Sequence, residues 1–323
     1  MTISDKYSYW INNALESDEQ AVTSLAQDII VDVAIVGGGY TGLWSAILLK
    51  QKQPNLRVAV IERDICGSGA SGFNGGCLLT WATKYPTLKK LYGEKETRWL
   101  VQESEQVISE IQQFCDEHKI DAELFANGTY YTSTKSAQHG SMTPVVEELE
   151  KQGINSWIDV DASTIAEKTG SSFHQQALYS PVAGSVQPAK LAFGLKRVAL
   201  ELGVEVYEKT AMESLEETIP AKLVTTNGVI EANKVIMATN TWMIDQFKEF
   251  KRSIVVVLSD MVLSKPMRQR PEKGATVVDS RIFVHYYRDT ADGRIMLGKG
   301  GNRFSFGNKV DECFNLEHLT LNC

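Results

Sequence analysis

The hydrophobic positions near the start of the chain follow a pattern of strand, turn, helix and strand. Residues 29–36 are rich in β-branched side chains, as expected of a strand, and glycines crowd the turn at 37–42. Residues 43–50 have apolar positions at helical spacing, and 56–61 is a second, nearly all-apolar segment. A strand that is apolar on both faces is typical of a buried parallel sheet. This opening segment therefore predicts a βαβ unit.

The same periodicities predict further helices and strands along the rest of the chain. The predicted helices are 85–92, 94–118, 144–152 and 188–202. The predicted strands are 128–132, 204–207, 223–226, 229–232, 234–238, 254–263, 281–287 and 295–297. Asn227-Gly228 separates two of these strands, and this dipeptide favours a tight hairpin turn.

The domain organisation follows from where the buried strands lie. The strand at 234–238 is apolar enough to join the sheet of the opening unit, although a mixed region separates the two. The reappearance of such a strand so late in the chain predicts an α/β fold, in which a Rossmann-like nucleotide-binding domain is discontinuous and contains an inserted α+β substrate domain built on an antiparallel sheet. We assign 1–85 and 170–245 to the nucleotide-binding domain and 86–169 and 246–311 to the substrate domain. Residues 312–323 are predicted to be an atypical tail.

The turn at 37–42, GGGYTG, satisfies the pattern G-x-G-x-x-G. Gly37 permits the tight turn, Gly39 lets the backbone approach a pyrophosphate, and Gly42 lets the helix pack closely on the strand. Glu62 comes about 20 residues later, at the end of the next strand, where a carboxylate accepts hydrogen bonds from ribose hydroxyls. An ordinary glycine turn is the alternative, but the strand before and the helix after it favour a dinucleotide site.

The type of dinucleotide is a separate question. Arg63 beside Glu62 suggests NADP, but a glutamate at the ribose position would repel a 2′-phosphate. The Gly- and Ser-rich stretch 67–76 offers many N–H and hydroxyl donors, which a long cofactor such as FAD could use along its pyrophosphate, ribityl chain and flavin. We therefore predict FAD, so that 1–85 and 170–245 form an FAD-binding domain. A nicotinamide-dependent dehydrogenase and, for 67–76, a plain flexible loop are the alternatives.

Two stretches carry a resemblance to a known family: VAIVGGGYTGL at 33–43 and GASGFNGG at 69–76. Shorter supporting matches follow at 186–188 and 235–242. Over most of residues 28–300 the chain resembles the glycine oxidase/D-amino-acid oxidase family of FAD-dependent oxidoreductases. It is most similar to the branch of γ-glutamylputrescine oxidoreductase and related amine dehydrogenases.

The resemblance implies a set of cofactor-binding residues. They are Gly37, Gly39, Tyr40, Thr41 and Gly42 around the pyrophosphate; Glu62 and Arg63 at the adenosine ribose; Ser71, Asn74, Gly75 and Gly76 nearer the flavin; Met212, in place of the usual small apolar residue, against adenine; and Ala238 and Thr239 closing over the cofactor. Phe73 stands where many relatives carry arginine, so any ionic contact of that arginine is missing.

The resemblance also implies a longer chain. Family members usually continue into a second flavin-contacting stretch with a Gly-rich turn and an arginine that pairs with an amino-acid carboxylate. Residues 312–323 do not match that pattern, so we expect a truncated chain whose flavin is partly uncovered. A catalytically impaired FAD-binding remnant is therefore an alternative to an active enzyme.

The resemblance implies oxidative deamination of a small-molecule amine or amino acid, with hydride transfer to flavin N5 and with oxygen or another electron acceptor. By resemblance, the strand at 283–288 borders the substrate side of the flavin. Alternation puts Phe283, His285 and Tyr287 on one of its faces. We predict His285 and Tyr287 as catalytic residues that bond the amine, with a structural role in the sheet as the alternative. Arg288 is expected to be an exposed edge arginine, with neutralisation of a carboxylate as the alternative.

Composition narrows the remaining function classes. The chain has 33 basic and 40 acidic residues and a net charge of −7, which argues against a nucleic-acid partner. No apolar run is long enough to predict a membrane span, and the first residues lack the pattern of a secretory signal, so we predict a cytoplasmic protein. The five cysteines are scattered without a CxxC pair, which predicts reduced thiols and no metal site.

Overall fold

The structure of the chain, a computed structural model, describes residues 6–18, 20–255, 260–280 and 285–299. Its helices are α1 (Tyr9–Leu15), α2 (Tyr40–Lys52), α3 (Tyr85–Tyr92), α4 (Glu94–Glu117), α5 (Thr143–Lys151), α6 (Ala162–Thr169), α7 (Pro188–Glu201) and α8 (Met243–Gln246). Short 3₁₀ turns lie at Ala82–Lys84, Ser136–Gln138, Asn240–Trp242 and Lys248–Arg252. Among the described residues, no helix is both long enough and apolar enough to cross a membrane.

The described strands form two large sheets and one small one. In chain order they are β1 (Ile29–Val36), β2 (Val58–Ile61), β3 (Cys77–Leu78), β4 (Thr129–Ser133), β5 (Ile158–Val160), β6 (Gln176–Ser180), β7 (Gly184–Ser185), β8 (Glu205–Tyr207), β9 (Met212–Glu216), β10 (Ala221–Thr225), β11 (Gly228–Met237), β12 (Asp260–Leu263), β13 (Thr276–Asp279), β14 (His285–Asp289) and β15 (Ile295–Lys299).

The first large sheet has six strands in the order β8-β2-β1-β11-β10-β9. The strands from β8 to β11 run parallel, and β10 and β9 are added antiparallel at one edge. Helices α2 and α7 cover one face, where Ile35, Leu43 and Leu195 share a fully buried apolar cluster. The predicted βαβ unit and the α/β fold class are confirmed.

One strand is longer than its sequence suggests. The pattern predicts two strands at 229–232 and 234–238, but the structure has a single strand, β11. It pairs with β1 from Ile29 opposite Ile230 to Val36 opposite Met237. Strand pairing uses main-chain groups, so an exposed polar residue such as Asn233 does not end it.

The second large sheet has seven strands in the order β12-β15-β14-β13-β4-β6-β5. Its neighbouring pairs are antiparallel except β13 and β4, which are parallel, so the sheet is mixed rather than purely antiparallel. Parts of the predicted strands at 254–263 and 281–287, and the tail at 312–323, lie outside the described residues. The division of the chain into two domains stays a prediction.

Candidate functional site

The glycine-rich turn closes tightly between β1 and α2. A Cβ atom at Gly42 would lie 1.9 Å from the carbonyl oxygen of Gly37, and a Cβ at Gly37 would lie 2.5 Å from that of Ala238. Gly37 also has φ +113°, a backbone conformation that other residues rarely adopt. Helix α2 begins directly after Gly39, which has no side chain to cap it. The turn therefore places the start of α2 at the carboxyl edge of the sheet, as a dinucleotide site requires.

Glu62 follows β2 and reaches this turn. Its Oε2 accepts a hydrogen bond from the Gly38 N–H at 2.9 Å, and its Oε1 accepts one from the Asp64 N–H at 3.0 Å. Burial raises the pKa of this carboxyl, and the two backbone N–H donors oppose that rise. The sequence-predicted acidic residue and the glycine-rich turn are thus in direct contact.

The Gly- and Ser-rich stretch folds back over the start of α2. Ser71 Oγ accepts a hydrogen bond from the Tyr40 N–H at 2.9 Å, in the first turn of the helix. Asn74 closes the stretch: its Nδ2 donates to the Ser71 carbonyl at 2.7 Å, and its Oδ1 accepts from the Gly76 N–H at 2.7 Å. These hydrogen bonds connect the stretch internally and join it to the start of α2.

The segment after β11 lies against the same turn. The Ala238 N–H donates to the Val36 carbonyl at 2.8 Å, which continues the pairing beyond the strand. Thr239 Oγ1 is buried and has no hydrogen-bond partner among the described residues. A buried hydroxyl without a partner costs free energy, and a polar ligand at this edge would satisfy it.

Three further predicted cofactor residues have other surroundings. Thr41 is exposed in the first turn of α2. Met212 begins β9 and packs against the apolar cluster on the second face of the six-stranded sheet. Arg63 is exposed, and its guanidinium carbon lies 3.9 Å from the centroid of the Trp242 ring. The remaining predicted residues from 37 to 42, with Glu62, Ser71, Asn74, Ala238 and Thr239, come together at one edge.

One face of β14 lies against the glycine-rich stretch, and the two predicted catalytic residues lie on the opposite face. A Cβ at Gly75 would lie 2.3 Å from the ring of Tyr286, so Tyr286 faces that stretch. Tyr287 points the other way, and its hydroxyl donates to the Thr169 carbonyl at 2.9 Å and lies 2.8 Å from His174 Nε2. His285 shares the face of Tyr287 because side chains alternate along a strand. Burial raises the pKa of Tyr286 and of Tyr287 to about 12.

Arg288 differs from its expected exposed position. Its side chain is 1% exposed, and its Nη1 donates to the carbonyls of Val186 at 2.7 Å and Gly76 at 3.2 Å. The guanidinium also lies over the ring of Trp10, 5.3 Å from its centroid. Burial lowers the pKa of Arg288. This arginine fixes the end of the glycine-rich stretch to β14, a role that its position in the sequence did not indicate.

A buried ion pair holds the backbone just before the glycine-rich stretch, and no sequence motif had indicated it. Lys196 Nζ of α7 lies 2.8 Å from Glu208 Oε2, and the two side chains are 4% and 2% exposed. Glu208 Oε1 accepts a hydrogen bond from the Cys66 N–H at 2.6 Å. The sequence pattern that could have indicated a buried lysine is the helical spacing of Lys196 from Ala192 and Ala199. The structure shows that both alanines are fully buried.

Replacing Lys196 with methionine is expected to lower the free energy of unfolding by about 3–5 kcal/mol, because it leaves the Glu208 carboxylate buried without its cation. Urea unfolding measures this change. Lys151→Met is the matched control, since Lys151 is 65% exposed in its ion pair with Glu148 and should cost at most about 1 kcal/mol. Equal losses in both variants would contradict a structural role of the buried pair.

The parallel strands of this sheet, with the glycine-rich turn at their carboxyl edge, are the arrangement expected of a dinucleotide-binding protein. The sequence profile of the FAD dependent oxidoreductase family, DAO, matches residues 32–318. The chain therefore belongs to the DAO family of FAD-dependent oxidoreductases, whose cofactor is FAD. The resemblance stated from the sequence is confirmed.

Individual relatives agree with this family. The chain is 30% identical over 284 residues to gamma-glutamylputrescine oxidoreductase of Escherichia coli, covering 86% of this chain and 66% of the relative. It is 29% identical over 276 residues to the probable oxidoreductase OrdL of Rhizobium meliloti, covering 83% and 63%. The chain thus spans just under two thirds of the length of these relatives.

Solved structures show the same fold at lower identity. Glycine oxidase from Geobacillus kaustophilus superposes with a TM-score of 0.68 at 21% identity, covering 87% of this chain and 74% of that one. L-proline dehydrogenase from P. horikoshii gives a TM-score of 0.67 at 17% identity, covering 87% and 71%. These likenesses support the fold class.

Proposed function

We propose that this chain binds FAD at the carboxyl edge of its six-stranded sheet and oxidises a small-molecule amine or amino acid. The observation that carries the FAD site is the contact between the Glu62 carboxylate and the Gly38 N–H at the head of α2. The substrate class rests on the similarity to gamma-glutamylputrescine oxidoreductase. Oxygen or another electron acceptor would complete the turnover.

The described residues fit a bound dinucleotide. The glycines of the turn at 37–42 add no side chains of their own, and α2 begins there with its N–H groups at the carboxyl edge of the sheet, although Ser71 Oγ already accepts from the Tyr40 N–H. Glu62 is placed to exchange its backbone partners for ribose hydroxyls, and Thr239 Oγ1 is a buried hydroxyl in need of a polar partner. When bound, FAD supplies the acceptor for a hydride from the substrate carbon.

We propose Tyr286, rather than His285 or Tyr287, as the side chain that orients the amine. Tyr286 is the residue of β14 that packs on Gly75, within the stretch assigned to the flavin end. Its pKa of about 12 keeps the phenol protonated at neutral pH, so it can donate a hydrogen bond or accept one from an amine. His285 and Tyr287 face away from Gly75, and the hydroxyl of Tyr287 already bonds the Thr169 carbonyl.

Purified protein tests the proposed function in two steps. We expect a yellow protein whose flavin spectrum survives desalting, because FAD is held by many contacts. Anaerobic mixing with a panel of amines and amino acids, starting from γ-glutamylputrescine, should bleach the flavin with at least one compound. A colourless protein that does not take up added FAD would contradict the cofactor site. Bound FAD that no compound bleaches would contradict the amine chemistry alone.

Tyr286→Phe is expected to lower kcat/KM for the bleaching substrate about 5- to 10-fold, the effect of one lost hydrogen bond of roughly 1–1.5 kcal/mol. Stopped-flow reduction of the flavin measures this, and the dissociation constant of FAD should not change. Tyr179→Phe, on the opposite face of the seven-stranded sheet, is the matched control. If kcat/KM falls in Tyr287→Phe but not in Tyr286→Phe, Tyr287, the residue predicted from the sequence, orients the amine instead.

A further inference from the structure

Arg63 and Trp242 meet above the glycine-rich turn. Arg63 follows Glu62 at the carboxyl end of β2, and Trp242 ends the 3₁₀ turn that follows β11. Strand β1 lies between β2 and β11 in the sheet. The contact between the two side chains therefore passes over the carboxyl end of β1, where the turn at 37–42 begins.

The two side chains form an exposed cation–π pair. The guanidinium carbon of Arg63 lies 3.9 Å from the centroid of the Trp242 ring, although Trp242 is 38% exposed and Arg63 is exposed. An exposed pair of this kind contributes little to the stability of a fold. Its position across the dinucleotide edge therefore suggests a binding role.

The turn that precedes Trp242 positions its ring beside Arg63. Asn240 adopts φ +50°, a left-handed conformation that asparagine tolerates better than most residues. The Trp242 N–H then donates to the Thr239 carbonyl at 3.1 Å, which closes the turn. The buried hydroxyl of Thr239, without a partner among the described residues, lies in the same turn. One short segment thus carries both an unsatisfied polar group and an exposed aromatic face.

We propose that Arg63 and Trp242 form a latch that covers the adenosine half of FAD and makes the site select FAD over FMN. The proposal rests on the FAD site proposed above. Adenine is a flat aromatic group, and both a guanidinium plane and an indole ring stack on such groups. FMN has the flavin, ribityl chain and one phosphate of FAD but lacks its adenosine. The latch therefore adds to the affinity for FAD alone.

Flavin titrations of the apoprotein test the latch. The variants are Trp242→Ala, Arg63→Met and the double substitution, with Trp99→Ala as the matched control because Trp99 is 54% exposed on α4. Each single substitution should raise the dissociation constant of FAD about 10-fold, as expected for a lost stacking or cation–π contact. The double variant should lose less than the product of the two single effects, because the side chains act together. FMN binding should be unchanged in all variants.

Three results would overturn the latch. An unchanged FAD dissociation constant in Trp242→Ala and Arg63→Met would remove the latch while leaving the FAD site intact. An equal loss for FAD and FMN would place the effect on the flavin end or on the fold. Failure of the unaltered chain to bind either flavin would overturn the proposed function together with the latch. Because Arg63 is exposed, Arg63→Met keeps the test valid if Trp242→Ala fails to fold.

Discussion

Gly42→Ala is expected to abolish measurable FAD binding and to lower the free energy of unfolding by about 3 kcal/mol. The added Cβ would lie 1.9 Å from the Gly37 carbonyl oxygen and 3.3 Å from Ile35 Cγ2. The first of these atoms belongs to the main chain, so only a shift of the turn or of α2 relieves the overlap. Such a shift moves the helix N–H groups away from the pyrophosphate. Isothermal titration with FAD and urea unfolding measure the two effects.

Gly69→Ala is the matched control for this substitution. Gly69 belongs to the neighbouring glycine-rich stretch, yet a Cβ there meets nothing within 4 Å. We expect FAD affinity and stability close to those of the unaltered chain. Normal FAD binding by Gly42→Ala would contradict the role given to the turn, as would equal losses in the two variants.

Glu62→Ala is expected to raise the dissociation constant of FAD about 100-fold. The carboxylate is the acceptor for the Gly38 and Asp64 N–H groups and is placed to receive the ribose hydroxyls. Hydrogen bonds to a charged group contribute roughly 1.5–3 kcal/mol each, and alanine removes all of them. Titration of the apoprotein with FAD measures the change.

Two further variants distinguish the loss of the ribose contact from a general loss of folding. Glu62→Gln keeps one oxygen acceptor in nearly the same shape, so its loss of affinity should be smaller than that of Glu62→Ala. Glu205→Ala removes a carboxylate from the edge strand of the same sheet, where it pairs with Arg57, and should leave FAD affinity unchanged. An FAD dissociation constant that is equally unaffected in all three variants would argue against a carboxylate at the ribose.

The parts of the site that lie close together in the sequence could be predicted from it. The turn at 37–42 and the strand and helix around it follow from local rules, because glycines and hydrophobic spacing fix backbone geometry over a few residues. The position of Glu62 follows from the end of the next strand. The family assignment confirms the cofactor that these features indicated.

The parts that depend on distant contacts could not be predicted. Alternation along β14 assigns its residues to two faces, but the packing of Gly75 on Tyr286 decides which face meets the glycine-rich stretch. Arg288 is buried because Val186 and Gly76 supply carbonyl acceptors from other segments. The contact between Arg63 and Trp242 likewise depends on the order of strands in the sheet.

A crystal structure of this chain with bound FAD is the decisive measurement for the proposed cofactor site. We expect a pyrophosphate against the first N–H groups of α2, ribose hydroxyls on the Glu62 carboxylate and the flavin beyond Gly75. An FAD bound elsewhere, with the Glu62 carboxylate still occupied only by the Gly38 and Asp64 N–H groups, would contradict it.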